Sequence, residues 1–290
     1  MGEPIEIKKP KTLNEQVDLL EERGMIIEDR DTAKFILGNV NYYRFSAYWL
    51  NFKNDDDTFK ENTSFNNIYS IYTFDKKLRI LLIELIENIE ISFRTYIAYS
   101  LSINHGTMGY EDPSNFISPK GHKKFTDHLK KQKSKNSNKE FIKHHDTKYK
   151  GQLPIWVAVE IITFGTLADL YSILTPSDQA FIKKELCSIN PKLIKGWLPG
   201  LSMLRNRCAH FGRLYNTNFS MMQLKKSDKC HNIKNNKVFA YILAMKHLTA
   251  DKDIWNKFFI DLQNLIKEYN KNIDLGLLGF PKDWGNILSK

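Results

Sequence analysis

Between about Asn66 and Asn104, apolar residues recur mostly at three- and four-residue steps: Ile68, Ile71, Tyr72, Leu78, Leu82, Leu85, Ile86, Ile89, Phe93, Ile97 and Leu101. Only an α-helix places such a series on one face. A helix of that length commits the chain to a helical bundle, because its stripe needs other helices to cover it. Glu84, Glu87, Glu90 and Arg94 fall on the remaining faces and read as a solvated helix surface.

The flanking sequence is helical too. Thr12 with Glu15 three residues later forms a capping box opening a helix that ends near Gly24, with Leu13, Val17 and Leu20 as its stripe. Asp29 or Asp31 caps a second helix through Ala33, Phe35, Ile36 and Leu37, closed by Gly38-Asn39. A third, aromatic-rich helix runs from Asn41 to about Phe52. The polar loop Asn54–Ser64 then bounds a small N-terminal module over residues 1–60, helix-turn-helix-like in form, with duplex-DNA binding as one reading. Residues 61–290 form the main helical domain. Within it, Pro154 starts the segment Ile155-Trp156-Val157-Ala158-Val159-Glu160-Ile161-Ile162-Thr163-Phe164-Gly165, apolar on nearly every face and so expected to be buried. A buried Glu160 then needs a cationic partner or a polar cavity. Pro191 or Pro199-Gly200 opens the next helix, and Val238 to Tyr269 supplies two more.

A basic stretch interrupts this pattern at about residues 106–151. From Lys120 to Lys150 there are 11 lysines against Asp127, Glu140 and Asp146, a local charge of 11 − 3 = +8 out of +10 for the whole chain. Two readings stand side by side: an electrostatic contact for a phosphate backbone, through lysines such as Lys123, Lys124, Lys130 and Lys131, or a solvated, flexible excursion. The segment KKQKSKNSNK has no aromatic residue for base stacking, so any contact there would be electrostatic.

Several function classes are excluded. Hydrophobic content of 42% rules out wholesale disorder, and no apolar run approaches the ~18 residues of a membrane helix. The residues after Met1 carry neither a secretory signal nor, with Glu6 where Ser or Thr is needed, a myristoylation signal, so a cytoplasmic protein is expected. Cys187, Cys208 and Cys230 are too few and too far apart for a disulfide framework. No cysteine or histidine pair has zinc-ligand spacing, Cys230-His231 coming nearest. No glycine-rich phosphate loop is present, and no cofactor or metal is expected.

The chemistry gathers at Arg205-Asn206-Arg207-Cys208-Ala209-His210-Phe211-Gly212-Arg213, at the end of an otherwise apolar helix. Asn206 and His210 are one turn apart, so the amide is expected to orient the imidazole. Arg205, five residues from His210, points about 140° away on an ideal helix, so one helix aims the two poorly at one phosphate. A second copy across an interface would complete a site. Histidine suits proton transfer near neutrality, and arginine suits charge on a pentacovalent phosphate. Spacing alone also admits a plainer reading, in which these cations complement the helix dipole and His210 caps the C-terminus.

Three blocks in order, Asn39-Val40-Asn41-Tyr42-Tyr43-Arg44-Phe45-Ser46-Ala47-Tyr48, Pro154–Glu160 through Phe164-Gly165-Thr166-Leu167, and Arg205–His210 with Arg213-Leu214-Tyr215-Asn216, resemble the Abi-like (AbiD/AbiF) family of bacterial phage-defence proteins. The resemblance spans roughly residues 10 to 250. It implies an all-α, HEPN-type helical bundle and a metal-independent, toxin-like endoribonuclease of abortive infection, composite across a homodimer, with RNA as substrate and possible neutralising partner. On that resemblance Arg205 holds the scissile phosphate, His210 is general acid and base, Asn206 is the polar residue after the arginine, and Glu160 is the acid on an earlier helix leaning toward the motif. Arg207 and Arg213 join the four lysines as RNA contacts. The alternative is a non-catalytic RNA-binding regulatory protein of the same fold.

Overall fold

The computed structural model describes residues 9–186 and 188–289; Cys187, Lys290 and the residues before Lys9 lie outside that description, as do the side chains of Leu186 and Cys230. Among the described residues there are 13 α-helices and no strand: α1 Leu13–Glu22, α2 Arg30–Asn39, α3 Tyr42–Ser46, α4 Phe65–His105, α5 Pro119–Lys135, α6 Glu140–Lys148, α7 Ile155–Ile161, α8 Phe164–Ile173, α9 Pro176–Leu186, α10 Pro191–Ala209, α11 Val238–Leu248, α12 Lys252–Tyr269 and α13 Trp284–Ser289. The all-α expectation therefore holds. No helix among the described residues is long and apolar enough to cross a membrane.

The chain divides into two compact units, residues 1–78 with 265–274, and residues 79–264 with 275–290. In the first, the Thr12–Glu15 capping box forms as expected: Thr12 N–H donates to the Glu15 carboxylate at 2.6 Å and Glu15 N–H to Thr12 Oγ1 at 3.3 Å. Asp29 caps α2, accepting from the Asp31 and Thr32 amides. The third helix is shorter than expected. It ends at Ser46, and a 3-10 turn at Leu50–Phe52 follows, because Phe45, Tyr48 and Trp49 all turn inward. Trp49 meets the ring edges of Phe45 and Tyr42, with centroids 5.3 Å apart in both cases. The Tyr48 hydroxyl donates at 2.7 Å to the fully buried Asp75.

The second unit is organised around α8, which packs against both α5 and α10. Much of the lysine-rich stretch is helical, in α5 and α6. His122, Phe125 and Leu129 of α5 are buried, and the lysines occupy the rest of that helix. Helix α9 is anchored by a fully buried Asp178, whose carboxylate accepts from Thr175 Oγ1 at 2.6 Å, Asn104 Nδ2 at 2.8 Å and the His105 ring at 3.1 Å.

Candidate active site

The arginine- and histidine-bearing helix, α10, is opened by Pro191, with Asn190 accepting from the Lys192 amide at 3.0 Å. Pro199 lies inside the helix instead of starting it. At the next residue the backbone runs close to its neighbours: a Cβ on Gly200 would come 2.7 Å from Met222 Sδ. Ile194, Trp197, Leu198, Leu201, Leu204 and Cys208 are buried, a 3.6-residue stripe that fixes the rotation of the helix. That rotation sends Arg205, Asn206 and His210 to the surface.

The helix stops in a doubly hydrogen-bonded left-handed turn. The Gly212 amide donates to the Arg207 carbonyl at 2.7 Å and the Phe211 amide to the Cys208 carbonyl at 3.1 Å, the pattern of a Schellman C-cap with His210 at the cap position. The left-handed residue in such a cap is ordinarily glycine, yet here it is Phe211, with φ +60° and 66% exposure. Gly212 is required beside it, since a Cβ there would lie 2.7 Å from Arg207 Cγ. Arg207 braces the turn: its Nη1 donates to the Arg213 carbonyl at 3.1 Å and its guanidinium lies over the Phe219 ring at 5.2 Å. Arg207, one of the two arginines grouped by sequence with the RNA contacts, is thus engaged within its own chain.

Arg205 turns the other way, toward α4. Its Nε lies 3.9 Å from Glu90 Oε2, and Glu90 is ion-paired to Arg94 one turn on. Arg94 also donates to the Val159 carbonyl and, at 2.9 Å, to the Ile162 carbonyl at the end of α7. Ile83, Glu87, Glu90, Ile91, Arg94 and Arg205 line a groove of about 410 Å³. Glu90 and Arg94 keep only 12% and 11% of their side chains exposed, so this part of the acidic row is not the solvated surface its pattern suggested.

Three further expectations fail. Glu160 is exposed, as is Trp156 one turn before it, and only Ile155, Ala158, Val159 and Ile161 of α7 are buried. The apolar run is two helices and not one. Ile162 is extended, and Thr163 Oγ1 accepts from the Thr166 amide at 3.2 Å to begin α8. Nor does Asn206 orient His210 through its side chain. Its amide oxygen accepts from Arg205 Nη1 at 3.4 Å, and its link to His210 is through the backbone, His210 N–H to Asn206 carbonyl at 2.9 Å.

The four lysines divide between two sides of α5. Lys123, Lys124 and Lys131, with Lys120, Asp127 and His128, border an open basic groove of about 450 Å³, whereas Lys130 lines a separate cavity. Lys123 pairs with Asp127 at 3.0 Å and Lys124 with Asp169 at 2.6 Å. Sequence reading missed Glu90 and Arg94. Their four-residue spacing was visible, but nothing local distinguishes a pair facing another helix from one facing water.

The family model described as Abi-like protein matches residues 35–216, which include α10, its cap and the Glu90–Arg94 pair. No match was found among curated proteins or among solved structures.

Proposed function

Since the chain belongs to the Abi-like family, we propose that it is a metal-independent endoribonuclease of the HEPN type, acting in abortive infection. The observation that carries this reading is the presentation of Arg205 and His210 on the exposed end of a helix whose other face is locked in the core. The 2′-hydroxyl of RNA attacks the adjacent phosphorus as a base removes its proton. The 5′-oxygen leaves with a proton from an acid, giving a 2′,3′-cyclic phosphate and a 5′-hydroxyl end. His210 serves as base and acid. Arg205 neutralises the phosphorane charge, and a bound phosphate takes over the weak 3.9 Å pairing with Glu90. On an ideal helix Arg205 and His210 stand about 140° apart, and a second copy of the chain supplies the missing half of the site. Glu160 retains a place in this proposal as a surface carboxylate near the end of α7, and Arg213 as a cation beyond the cap.

A second reading, RNA binding without cleavage, is favoured by the basic groove of α5, which would hold a phosphate backbone by charge alone. Incubation of the purified protein with single-stranded RNA in excess chelator separates the two. Cyclic-phosphate products that vanish in His210→Ala support the nuclease, and retention of intact RNA supports the binder.

A further inference from the structure

The side of α5 away from the basic groove forms one wall of a cavity of about 430 Å³, bordered by Tyr110, Glu111, His122, Thr126, Leu129 and Lys130, among others. His122, Thr126, Leu129 and Lys130 follow one another at helical spacing, so they share a single face of α5. His122 is 7% exposed, and its ring lies against Phe116 with centroids 4.9 Å apart. Its Nε2 is 2.9 Å from the Tyr110 carbonyl, which can only accept, so Nε2 carries a hydrogen and, in the neutral ring, Nδ1 is an acceptor. That Nδ1 has no hydrogen-bond partner among the described residues, and His122 borders the cavity. Lys133 closes one end, tied to Asp146 at 2.7 Å and to the Gly151 carbonyl at 2.8 Å. Lys130 makes no ion pair or hydrogen bond among the described residues, nor does the exposed Glu111 side chain. Leu129, Leu153 and the Tyr110 ring supply apolar wall.

We propose that this cavity binds a nucleotide, with its phosphate on Lys130 and its base against Leu129, Leu153 and Tyr110. Two acceptors, Glu111 and the Nδ1 of a neutral His122 ring, call for a base edge rich in donors. Guanine, with adjacent N1–H and amino groups, matches a carboxylate best. The volume lies within the range of small-molecule sites that are mostly apolar with a few placed polar groups. The nucleotide comes either from an RNA chain or from the free pool. The site is separate from Arg205 and His210, so it does not depend on whether the chain cleaves RNA.

The test is calorimetric titration of the full chain carrying His210→Ala, which keeps any cleavage out of the measurement, with guanosine 5′-monophosphate. Saturable binding is expected. Thr126→Trp, which fills the cavity from the helix surface, and Lys130→Glu should each weaken it at least tenfold with unchanged circular dichroism. Lys135→Glu, on another face of α5, should leave it within twofold. Ribose 5-phosphate should bind at least tenfold more weakly than the nucleotide. Displacement of a guanine-containing RNA oligomer by the mononucleotide identifies RNA as the source, and independent binding of the two identifies a free nucleotide. Absence of saturable binding by both the mononucleotide and the oligomer, equal binding of ribose 5-phosphate, or binding indifferent to Thr126→Trp would overturn the proposal.

Discussion

Arg205 Nε stands 3.9 Å from Glu90 Oε2, and Glu90 is at the same time the partner of Arg94, which ties α4 to the carbonyls ending α7. One carboxylate therefore serves both a structural arginine and the exposed arginine at the end of α10. Removing its charge should affect folding more than its position on a charged helix face suggests. Glu90→Gln is expected to lower unfolding free energy by about 1–3 kcal/mol, since Arg94 would remain largely buried without its counter-charge. Glu160→Gln, on an exposed side chain, should change it by no more than about 0.5 kcal/mol. Chemical denaturation of the two variants decides it, and equal effects would contradict the assignment of Glu90 as the buried acid.

Phe211 occupies a left-handed position that costs a side chain about 1 kcal/mol or more. Phe211→Gly should thus raise stability by about 1 kcal/mol, read as an upward shift in melting temperature. Gly212→Ala should do the reverse, because its Cβ would meet Arg207 and disturb the brace to Arg213. If Phe211→Gly stabilises the chain yet diminishes RNA cleavage, the strain is held for the site.

Asp178 has a defined acid signature. Burial pushes its carboxyl up, but hydrogen bonds from Thr175, Asn104 and His105 outweigh burial and hold it below the usual carboxylate range. A carboxyl lowered in the folded state contributes stability that is full above its unfolded pKa and lost as pH falls through the folded value. The melting temperature should therefore decline below about pH 4, and Asp178→Asn should flatten that part of the curve while lowering stability at neutral pH.

Lys131 borders the basic groove and has no ion pair among the described residues, whereas Lys123 and Lys124 are each paired. If single-stranded RNA lies in the groove, Lys131→Gln should reduce the slope of log K against log salt by about 0.7, the loss of one phosphate contact. An unchanged slope would place the RNA elsewhere.

How much of this was legible in the sequence depended on whether the deciding contact was local. The stripe from Ile68 to Leu101 and the Thr12–Glu15 box were legible because spacing alone determines them, and both appear where expected. The segment Arg205–His210 was legible as a helix end carrying chemistry. The break between α7 and α8 was not. Apart from Glu160 and Thr163, Ile155 to Phe164 is apolar, and what ends α7 is accompanied by Arg94, some 65 residues earlier in the chain, capturing the Val159 and Ile162 carbonyls. The apolar run thus points to a buried Glu160, while Glu90, within a charged row, carries no local mark of its tertiary partner. The lysines of α5 hid its core face in the same way, because Phe125 and Leu129 are few among many charges.

We have proposed that Arg205 and His210 cleave RNA without metal. The most direct measurement is end-group analysis of single-stranded RNA incubated with the purified chain in excess chelator. The expected products are 2′,3′-cyclic phosphate and 5′-hydroxyl ends, formed at least about 100-fold more slowly by His210→Ala and by Arg205→Ala. Cleavage that persists undiminished in His210→Ala, or that appears only when Mg²⁺ is restored, would contradict it.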